Sequence, residues 1–228
     1  MAESSIVLVH GSFFSSWTWI PVIERLDHHD VDVVAIELPL TSLADDAVVL
    51  REAVATASNV GPVTVVCHSY TGITAAVAGH GAQHIVHIAA RMPAVSESQS
   101  ELNKDWGNPE FRSCFEFAED GTMSLTDGAD AYLFNRSPRS LTQFAMDNRR
   151  SMKSEIPSSP IENPAWKTMK SSYLICTDDK AVRLEQQRMR AEWADYSIEI
   201  DCDHSPFFSA PNQSADFILE THLAGAGG

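Results

Sequence analysis

The segment that most restricts the possible folds of this chain lies at residues 62–72, with the sequence PVTVVCHSYTG. Its first half is a run of β-branched residues, which suits a strand covered on both faces of a sheet. Residues 71–78, TGITAAVA, are rich in small side chains and predict a helix that can lie close to that sheet. The segment therefore predicts a buried strand that turns sharply into a helix, the basic unit of a parallel α/β sheet.

Ser69 stands at this turn, in the pattern small-x-Ser-x-small. The pattern is typical of the nucleophile elbow, a strained turn that lifts a serine hydroxyl clear of the sheet. Such a turn needs small neighbours two residues before and two residues after the serine. Here Cys67 and Thr71 stand where glycine is commoner. The pattern alone fits equally well a buried strand that ends in a serine without function, so the assignment depends on the rest of the chain.

The composition fits one globular domain with a sizeable core, because 44% of the 228 residues are hydrophobic and 21% are charged. The formal charge of -15 disfavours nucleic acids and anionic membranes as partners, since both repel an acidic surface. No apolar stretch approaches the length of a membrane span, and the N-terminus lacks the pattern of a secretory signal. The four cysteines show no metal spacing and fit free thiols (Cys67, Cys114, Cys176 and Cys202). We expect a cytoplasmic monomer or homodimer that needs no cofactor.

Strand and helix patterns alternate along most of the chain. Strands are predicted at residues 5–10, 31–39, 63–66, 84–90, 172–177 and 196–200, and helices at 17–26, 43–58, 71–78, 182–193 and 210–222. This alternation predicts a mostly parallel sheet of about six strands with helices on both faces. Residues 94–166 show no clear strand alternation and scatter aromatic side chains among polar ones. We interpret 94–166 as a small helical cap inserted into an α/β core formed by residues 1–93 and 167–228.

Polar residues follow the strands at the sheet edge where parallel α/β proteins carry their sites. A serine hydroxyl is a poor nucleophile and needs a base, which in turn needs a group that orients it. His204 follows the last strand and Asp179 follows the strand before it, so the chain order is Ser69, Asp179, His204. This is the order of α/β-hydrolases. The sequence thus predicts a Ser-His-Asp triad with Ser69 as nucleophile, His204 as base and Asp179 as acid.

Other residues compete for these roles. Asp178 is the alternative acid, and we favour Asp179 because it lies further past the strand end. His68 lies on the elbow itself and points elsewhere than a base must. His10 precedes a glycine turn, and we expect it to hold the loop in place.

Attack on an ester carbonyl develops negative charge on oxygen, which two backbone N–H groups can stabilise. One should belong to the residue after the nucleophile, Tyr70, and the other to the loop after the first strand. Gly11 lets that loop turn inward, so we expect the second donor to be Ser12, with Phe13 the next choice.

Four segments together resemble the plant methylesterase and hydroxynitrile lyase branch of the α/β-hydrolase superfamily, with its bacterial esterase relatives: VLVHGSFFSSWTW, CHSYTG, CTDD and HSPFFSAP. The resemblance covers most of the chain outside the insertion. It implies the same triad of Ser69, His204 and Asp179, oxyanion donors at Ser12 and Tyr70, and a cap at 94–166. The first strand corresponds to the third of the family, which fits a reduced sheet of about six strands.

Two positions distinguish the reactions of this branch. Its lyases typically carry threonine where Gly11 stands and lysine where Ser205 stands. Without the lysine a cyanohydrin-cleaving enzyme lacks a cation to stabilise departing cyanide, so these residues favour hydrolysis.

We therefore expect a carboxylic-ester hydrolase for a small to medium, largely apolar ester or lactone, with Phe13, Phe14 and Phe207 lining its pocket; a thioester would use the same residues. Two alternatives stay open. The first is a ligand-binding or signalling protein that keeps the triad but turns over slowly. The second is lyase or cofactor-free oxygenase chemistry on the same scaffold. Nucleophilic aspartate chemistry is disfavoured because position 69 is serine.

Overall fold

The computed structural model describes residues 4–153 and 159–226, so residues 1–3 and 227–228 of the expected core and 154–158 of the expected cap lie outside the described residues. A parallel sheet of six strands forms its centre: β1 (Ser5–Val9), β2 (Asp32–Ile36), β3 (Val63–His68), β4 (His84–Ile88), β10 (Lys170–Cys176) and β11 (Tyr196–Ile200), numbered by their place among all strands described below. The strand order across the sheet is β11-β10-β4-β3-β1-β2, and every neighbouring pair is parallel. The predicted α/β fold is therefore confirmed.

Helices cover both faces of this sheet. On one face lie α1 (Ile20–Leu26), which follows a 3-10 turn at Ser16–Trp19, and the C-terminal α10 (Pro211–Ala226). On the other face α2 (Leu43–Ala57) packs on α3 (Thr71–Ala78). Alternate residues of β1 serve the two faces, because Ile6 and Leu8 join one buried cluster while Val7 and Val9 join the other. Two further helices complete the core: α8 (Leu184–Ala191) packs on β10, and the short α9 (Pro206–Ser209) packs on α1 and α10.

The insertion between β4 and β10 contains both helices and strands. Its described helices are α4 (Gln99–Trp106), α5 (Pro109–Arg112), α6 (Asp130–Leu133) and α7 (Arg139–Asp147), with a 3-10 turn at Asp127–Ala129. Its described strands are β5 (Glu97–Ser98), β6 (Phe115–Phe117), β7 (Thr122–Leu125), β8 (Met152–Lys153) and β9 (Pro160–Ile161), and another 3-10 turn follows at Ala165–Lys167. Strands β6, β7 and β8 form an antiparallel sheet, and β5 pairs with β9.

The insertion contains helices, as expected, but its small antiparallel sheet was not predicted from the sequence. The antiparallel sheet has strands of two to four residues. Alternation becomes recognisable only over about four to eight residues, so segments this short leave little pattern in the sequence. Among the described residues, no helix is long and apolar enough to cross a membrane.

Candidate active site

Ser69 lies on a strained turn between β3 and α3, at the carboxyl edge of the sheet. Its φ is 55°, in the left-handed region that side-chain-bearing residues rarely adopt. Its N–H donates to the carbonyl of Ile88 at 3.2 Å, and its own carbonyl accepts from the N–H of Arg91 at 2.9 Å. The end of β4 and the chain just after it therefore hold the turn in place.

Small side chains around the turn permit this geometry. A Cβ on Gly72 would lie 1.9 Å from the carbonyl oxygen of Arg91, so only glycine fits where α3 begins. Cys67 replaces the commoner glycine without conflict, because its thiol points along the sheet toward the carbonyl of Val86 and His87 Nδ1, at 3.5 and 3.4 Å. Burial raises the pKa of this thiol well above its ordinary value, so Cys67 is held as a neutral, unreactive group.

Three side chains form a continuous hydrogen-bonded line from the turn into the protein. His204 Nε2 lies 3.0 Å from Ser69 Oγ, and His204 Nδ1 lies 2.7 Å from Asp179 Oδ2. The other carboxylate oxygen of Asp179 accepts the N–H groups of Ala181 and Val182, both at 2.8 Å. The structure thus brings together the three residues of the predicted triad.

The neighbouring Asp178 faces away from His204. Its carboxylate forms an ion pair with Lys180, and it accepts a hydrogen bond from Asn135 at 3.1 Å. Asp178 therefore pairs with side chains at the surface, and Asp179 is the carboxylate that contacts the imidazole.

Two buried polar residues that the sequence analysis did not identify hold the imidazole and its acid. Gln187 donates from Nε2 to Asp179 Oδ2 at 2.9 Å and accepts the N–H of Cys176 at 3.0 Å. Asp203 precedes His204 and accepts four hydrogen bonds, from Ser205 N, Ser209 Oγ, Arg136 N and Ser137 Oγ. Asp203 links the His204 loop to the insertion. The position of Asp203 directly before His204 was a signal for it, whereas nothing in the sequence marked Gln187.

The other two histidines near the site have structural contacts. His68 donates from Nε2 to the carbonyl of His204 at 2.7 Å, and its ring packs on Phe207. Burial lowers the pKa of His68 well below its ordinary value, and the nearby His204 lowers it further, so His68 stays neutral. His10 donates from Nδ1 to the carbonyl of Gly11 at 2.8 Å and accepts the N–H of Leu38 at 3.0 Å. It fixes the loop that follows β1, as expected.

That loop passes directly over Ser69. A Cβ on Gly11 would lie 3.4 Å from Ser69 Cβ and only 2.7 Å from His68 Nδ1, so the His68 ring leaves no room for a side chain at position 11. Ser12, Phe13 and Tyr70 line the same cavity as Ser69. Among the described residues, no hydrogen bond uses the backbone N–H of Ser12 or of Tyr70. The Tyr70 hydroxyl points elsewhere and donates to buried Asp46 at 2.8 Å.

A cavity of about 410 Å³ opens above Ser69 and His204. Phe13 and Phe14 line it, together with side chains from the insertion such as Phe111, Phe115 and Met123. Phe207 does not line it, contrary to the sequence expectation. It lies in the first turn of α9, where its ring packs on Trp19, His68 and Phe208 inside the core. In the part of the chain that the structure describes, no group of His, Cys, Asp and Glu side chains could hold a metal ion.

Comparisons with known proteins agree with this fold. The sequence model of the Alpha/beta hydrolase family matches residues 6–217. An alpha/beta hydrolase of Aspergillus novofumigatus, nvfD, is 26% identical over 93% of this chain and 94% of its own length. Methylesterase 9 of Arabidopsis thaliana is 26% identical over 94% of this chain and 96% of its own length. These matches confirm the resemblance to the plant methylesterase branch, and the names of the relatives support the expectation that this chain is a hydrolytic enzyme.

Solved structures show the same architecture. The crystal structure of polyneuridine aldehyde esterase superposes with a TM-score of 0.85, at 20% identity, over 96% of this chain and 99% of that one. A methylesterase of Arabidopsis superposes with a TM-score of 0.77, at 18% identity, over 96% of this chain and 98% of that one. At these identities the likeness is one of fold.

Proposed function

Because the chain belongs to the alpha/beta hydrolase family, we propose that it hydrolyses a small to medium carboxylic ester through an acyl-enzyme formed on Ser69. The observation that carries this proposal is the hydrogen-bonded line from Ser69 Oγ through His204 to Asp179, which begins at the cavity. The relatives named methylesterase act on the same class of bond by name.

In the proposed reaction His204 Nε2 removes the proton of Ser69 as the hydroxyl attacks the ester carbonyl. Asp179 holds the imidazole by its Nδ1–H and stabilises the positive charge that forms there. His204 then gives the proton to the leaving alcohol, and a water molecule, activated by the same imidazole, releases the acid from Ser69. In the first half of the reaction His204 carries the proton of Ser69 to the departing alcohol, and in the second half it carries a proton from water back to Ser69 Oγ as the acyl–oxygen bond breaks.

The developing oxyanion would be held by the N–H groups of Ser12 and Tyr70. Both residues line the cavity beside Ser69, and neither N–H has a hydrogen-bond partner among the described residues. Loss of one such donor costs on the order of 3 kcal/mol of transition-state stabilisation.

The cavity supports a substrate of modest size. Its volume of about 410 Å³ lies in the usual range for small-molecule sites, and most of its lining side chains are apolar. The lyase alternative is less favoured, because the His68 ring fills the space beside Gly11 and Ser205 offers no cation. All four cysteines are buried free thiols, which suits the cytoplasmic location that we also propose.

The test compares wild type with Ser69→Ala on p-nitrophenyl esters of increasing acyl length. We expect hydrolysis in wild type and only the solvent rate in the variant, since its nucleophile is gone. Ser140→Ala, which removes an exposed hydroxyl from α7, is the matched control and should keep full activity. A fluorophosphonate probe should label wild type and the control but not Ser69→Ala. Hydrolysis that survives in Ser69→Ala would contradict the proposal.

A further inference from the structure

The cavity beside Ser69 is lined by three cationic side chains, Arg91, Arg112 and Lys153, and by no carboxylate of the described residues. This is unexpected in a chain with 31 acidic and only 16 basic residues. Lys153 is neutralised, because its ammonium lies 3.1 Å from the carboxylate of Asp120. The two arginines, in contrast, form no ion pair with a described carboxylate.

Arg91 lies just after β4, and among the described residues its guanidinium forms no hydrogen bond and no ion pair. Its Nε is buried without a hydrogen-bond acceptor, and no described carboxylate forms an ion pair with it. Within the described part of the chain, Arg112 donates only to backbone carbonyls, at Asn103 and Lys104. Burial lowers the pKa of Arg91 to about 10, an effect that Tyr70 opposes and Arg112 reinforces. The side chain is therefore still a cation at neutral pH, in a place where an unpaired charge is costly.

The helix α4, which forms one wall of the cavity, also carries buried polar atoms without a described partner. Gln99, Asn103 and Trp106 are spaced by four and three residues, so they share one face of this helix, and all three line the cavity. Each contributes a buried polar atom without a partner: Gln99 Oε1, Asn103 Oδ1 and Trp106 Nε1. Buried polar atoms are nearly always hydrogen-bonded, so several open ones around a single cavity indicate that a ligand supplies their partners.

We propose that the ester substrate carries a carboxylate, and that Arg91 binds this carboxylate within the cavity as the residue that determines specificity. The proposal rests on the ester hydrolysis proposed above and names the class of ester. A carboxylate accepts two parallel hydrogen bonds from a guanidinium and neutralises its charge. Trp106 Nε1 offers a further donor from the facing helix, and the open amide oxygens suit a hydroxyl or N–H group elsewhere on the substrate.

The backbone of Arg91 ties this recognition to the nucleophile. Its N–H donates to the carbonyl of Ser69, and its carbonyl packs against Gly72 so closely that no Cβ fits there. The backbone of Arg91 is therefore held at a fixed position relative to Ser69. A carboxylate bound by its guanidinium would in turn hold the ester carbonyl of the same substrate at a defined position beside Ser69 Oγ.

The test uses two matched pairs of esters. In the first pair, 4-acetoxybenzoate and its methyl ester, the carboxylate is on the leaving group. In the second, mono-p-nitrophenyl adipate and its methyl ester, it is on the acyl chain. We expect wild type to prefer the anionic member of at least one pair by about tenfold or more in kcat/KM. Arg91→Met should remove this preference, mainly through a higher KM for the anionic member, so that the ratio of the two kcat/KM values falls to about one.

Two further variants separate recognition from structure. Arg91→Lys keeps the charge but loses the planar fork, so we expect it to restore part of the preference. Arg139→Met removes the same charge from the exposed start of α7 and should behave as wild type. Because Arg91→Met replaces a half-buried cation that has no described partner with an apolar side chain, its Tm should equal or exceed that of wild type. A purely structural arginine would instead lower Tm on removal.

The inference is overturned if wild type hydrolyses both members of each pair equally, or if Arg91→Met changes both to the same extent. The proposed function fails separately, if no ester is hydrolysed and fluorophosphonate does not label Ser69. If labelling occurs without turnover, monomethyl adipate and dimethyl adipate are tested as competitors of labelling. Slower labelling with the anionic competitor alone, lost in Arg91→Met, supports the inference. Equal effects of the two competitors, or no effect of either, would refute it.

Discussion

Gln187 tests how Asp179 is held, because replacing its amide nitrogen with an oxygen turns a hydrogen-bond donor to Asp179 into an acceptor. The amide oxygen of Gln187 accepts the N–H of Cys176 at 3.0 Å, and the amide nitrogen donates to Asp179 Oδ2 at 2.9 Å. In Gln187→Glu the first bond survives, since an oxygen still faces Cys176. The second becomes a contact between two carboxyl oxygens, unless the introduced carboxyl keeps its proton.

The size of the effect follows from the 2.9 Å separation. Two unit charges at this distance repel by about 6 kcal/mol at an effective dielectric constant of about 20. This raises the apparent pKa of the introduced carboxyl by about four units, from about 4.3 to about 8. Below that pH the protonated carboxyl donates to Asp179 as the amide does. Above it, the paired negative charges disturb the carboxylate that orients His204.

We therefore expect Gln187→Glu to hydrolyse p-nitrophenyl acetate at nearly the wild-type rate at pH 6 and to lose about 100-fold or more by pH 9. Loss of the orienting acid costs up to about 10⁴-fold in serine proteases, so the fall is easily measured. Gln186→Glu, which adds the same charge one residue earlier on α8, is the control and should follow the wild-type pH profile. A pH-independent loss in Gln187→Glu would refute the reasoning, since misfolding rather than ionisation would then explain it.

Two further predictions concern the support of the site. Gly72→Ala places a Cβ 1.9 Å from the carbonyl oxygen of Arg91. We therefore expect the free energy of unfolding in urea to fall by about 1–3 kcal/mol or more, together with a reduced kcat. Gly128→Ala, whose Cβ would meet nothing closer than 3.9 Å, is the control, and equal losses in both variants would contradict the packing argument. Burial lowers the pKa of His87 from 6.5 to about 3. As the pH falls below about 6.5, only the unfolded chain takes up a proton at this position. The free energy of unfolding therefore falls by about 1.4 kcal/mol per pH unit. His87→Phe should therefore gain about 2 kcal/mol relative to wild type between pH 7.5 and pH 5 in urea denaturation, and an unchanged difference would exclude this origin of acid sensitivity.

The sheet and the meeting of Ser69, Asp179 and His204 could be predicted because both follow from chain order. Strand and helix patterns alternate, and parallel strands deliver their carboxyl ends to one edge. Any polar residues just after β3, β10 and β11 must then lie near each other, whatever the intervening loops do. The topology already requires these three residues to be neighbours. The distances of 3.0 Å from His204 to Ser69 and 2.7 Å from His204 to Asp179 show that they are also hydrogen-bonded.

The cavity wall could not be predicted, because it depends on contacts that no local pattern encodes. Phe207 and Phe14 look equivalent as aromatic residues beside the site. The first turn of α9 directs Phe207 into the core, whereas Phe14 reaches the cavity. Arg91 likewise looked like an ordinary residue after a strand. The role proposed for it depends on the absence of a described carboxylate from the cavity wall, which only the packed structure shows.

The acidic surface of the chain explains why a recognition charge would be placed inside the cavity. A net charge of -15 repels an anionic ester at long range, but salt screens this field beyond about 8 Å at physiological ionic strength. An arginine among the surface carboxylates would be neutralised by them and would recognise nothing. Arg91 escapes this because β4 ends in the core, next to Ser69, and the described cavity wall contains no acid. Selection of an anion by an acidic protein thus requires a cation that the fold keeps apart from the surface carboxylates, and the hydrogen bond from the N–H of Arg91 to the carbonyl of Ser69 holds the backbone of such a cation beside the nucleophile.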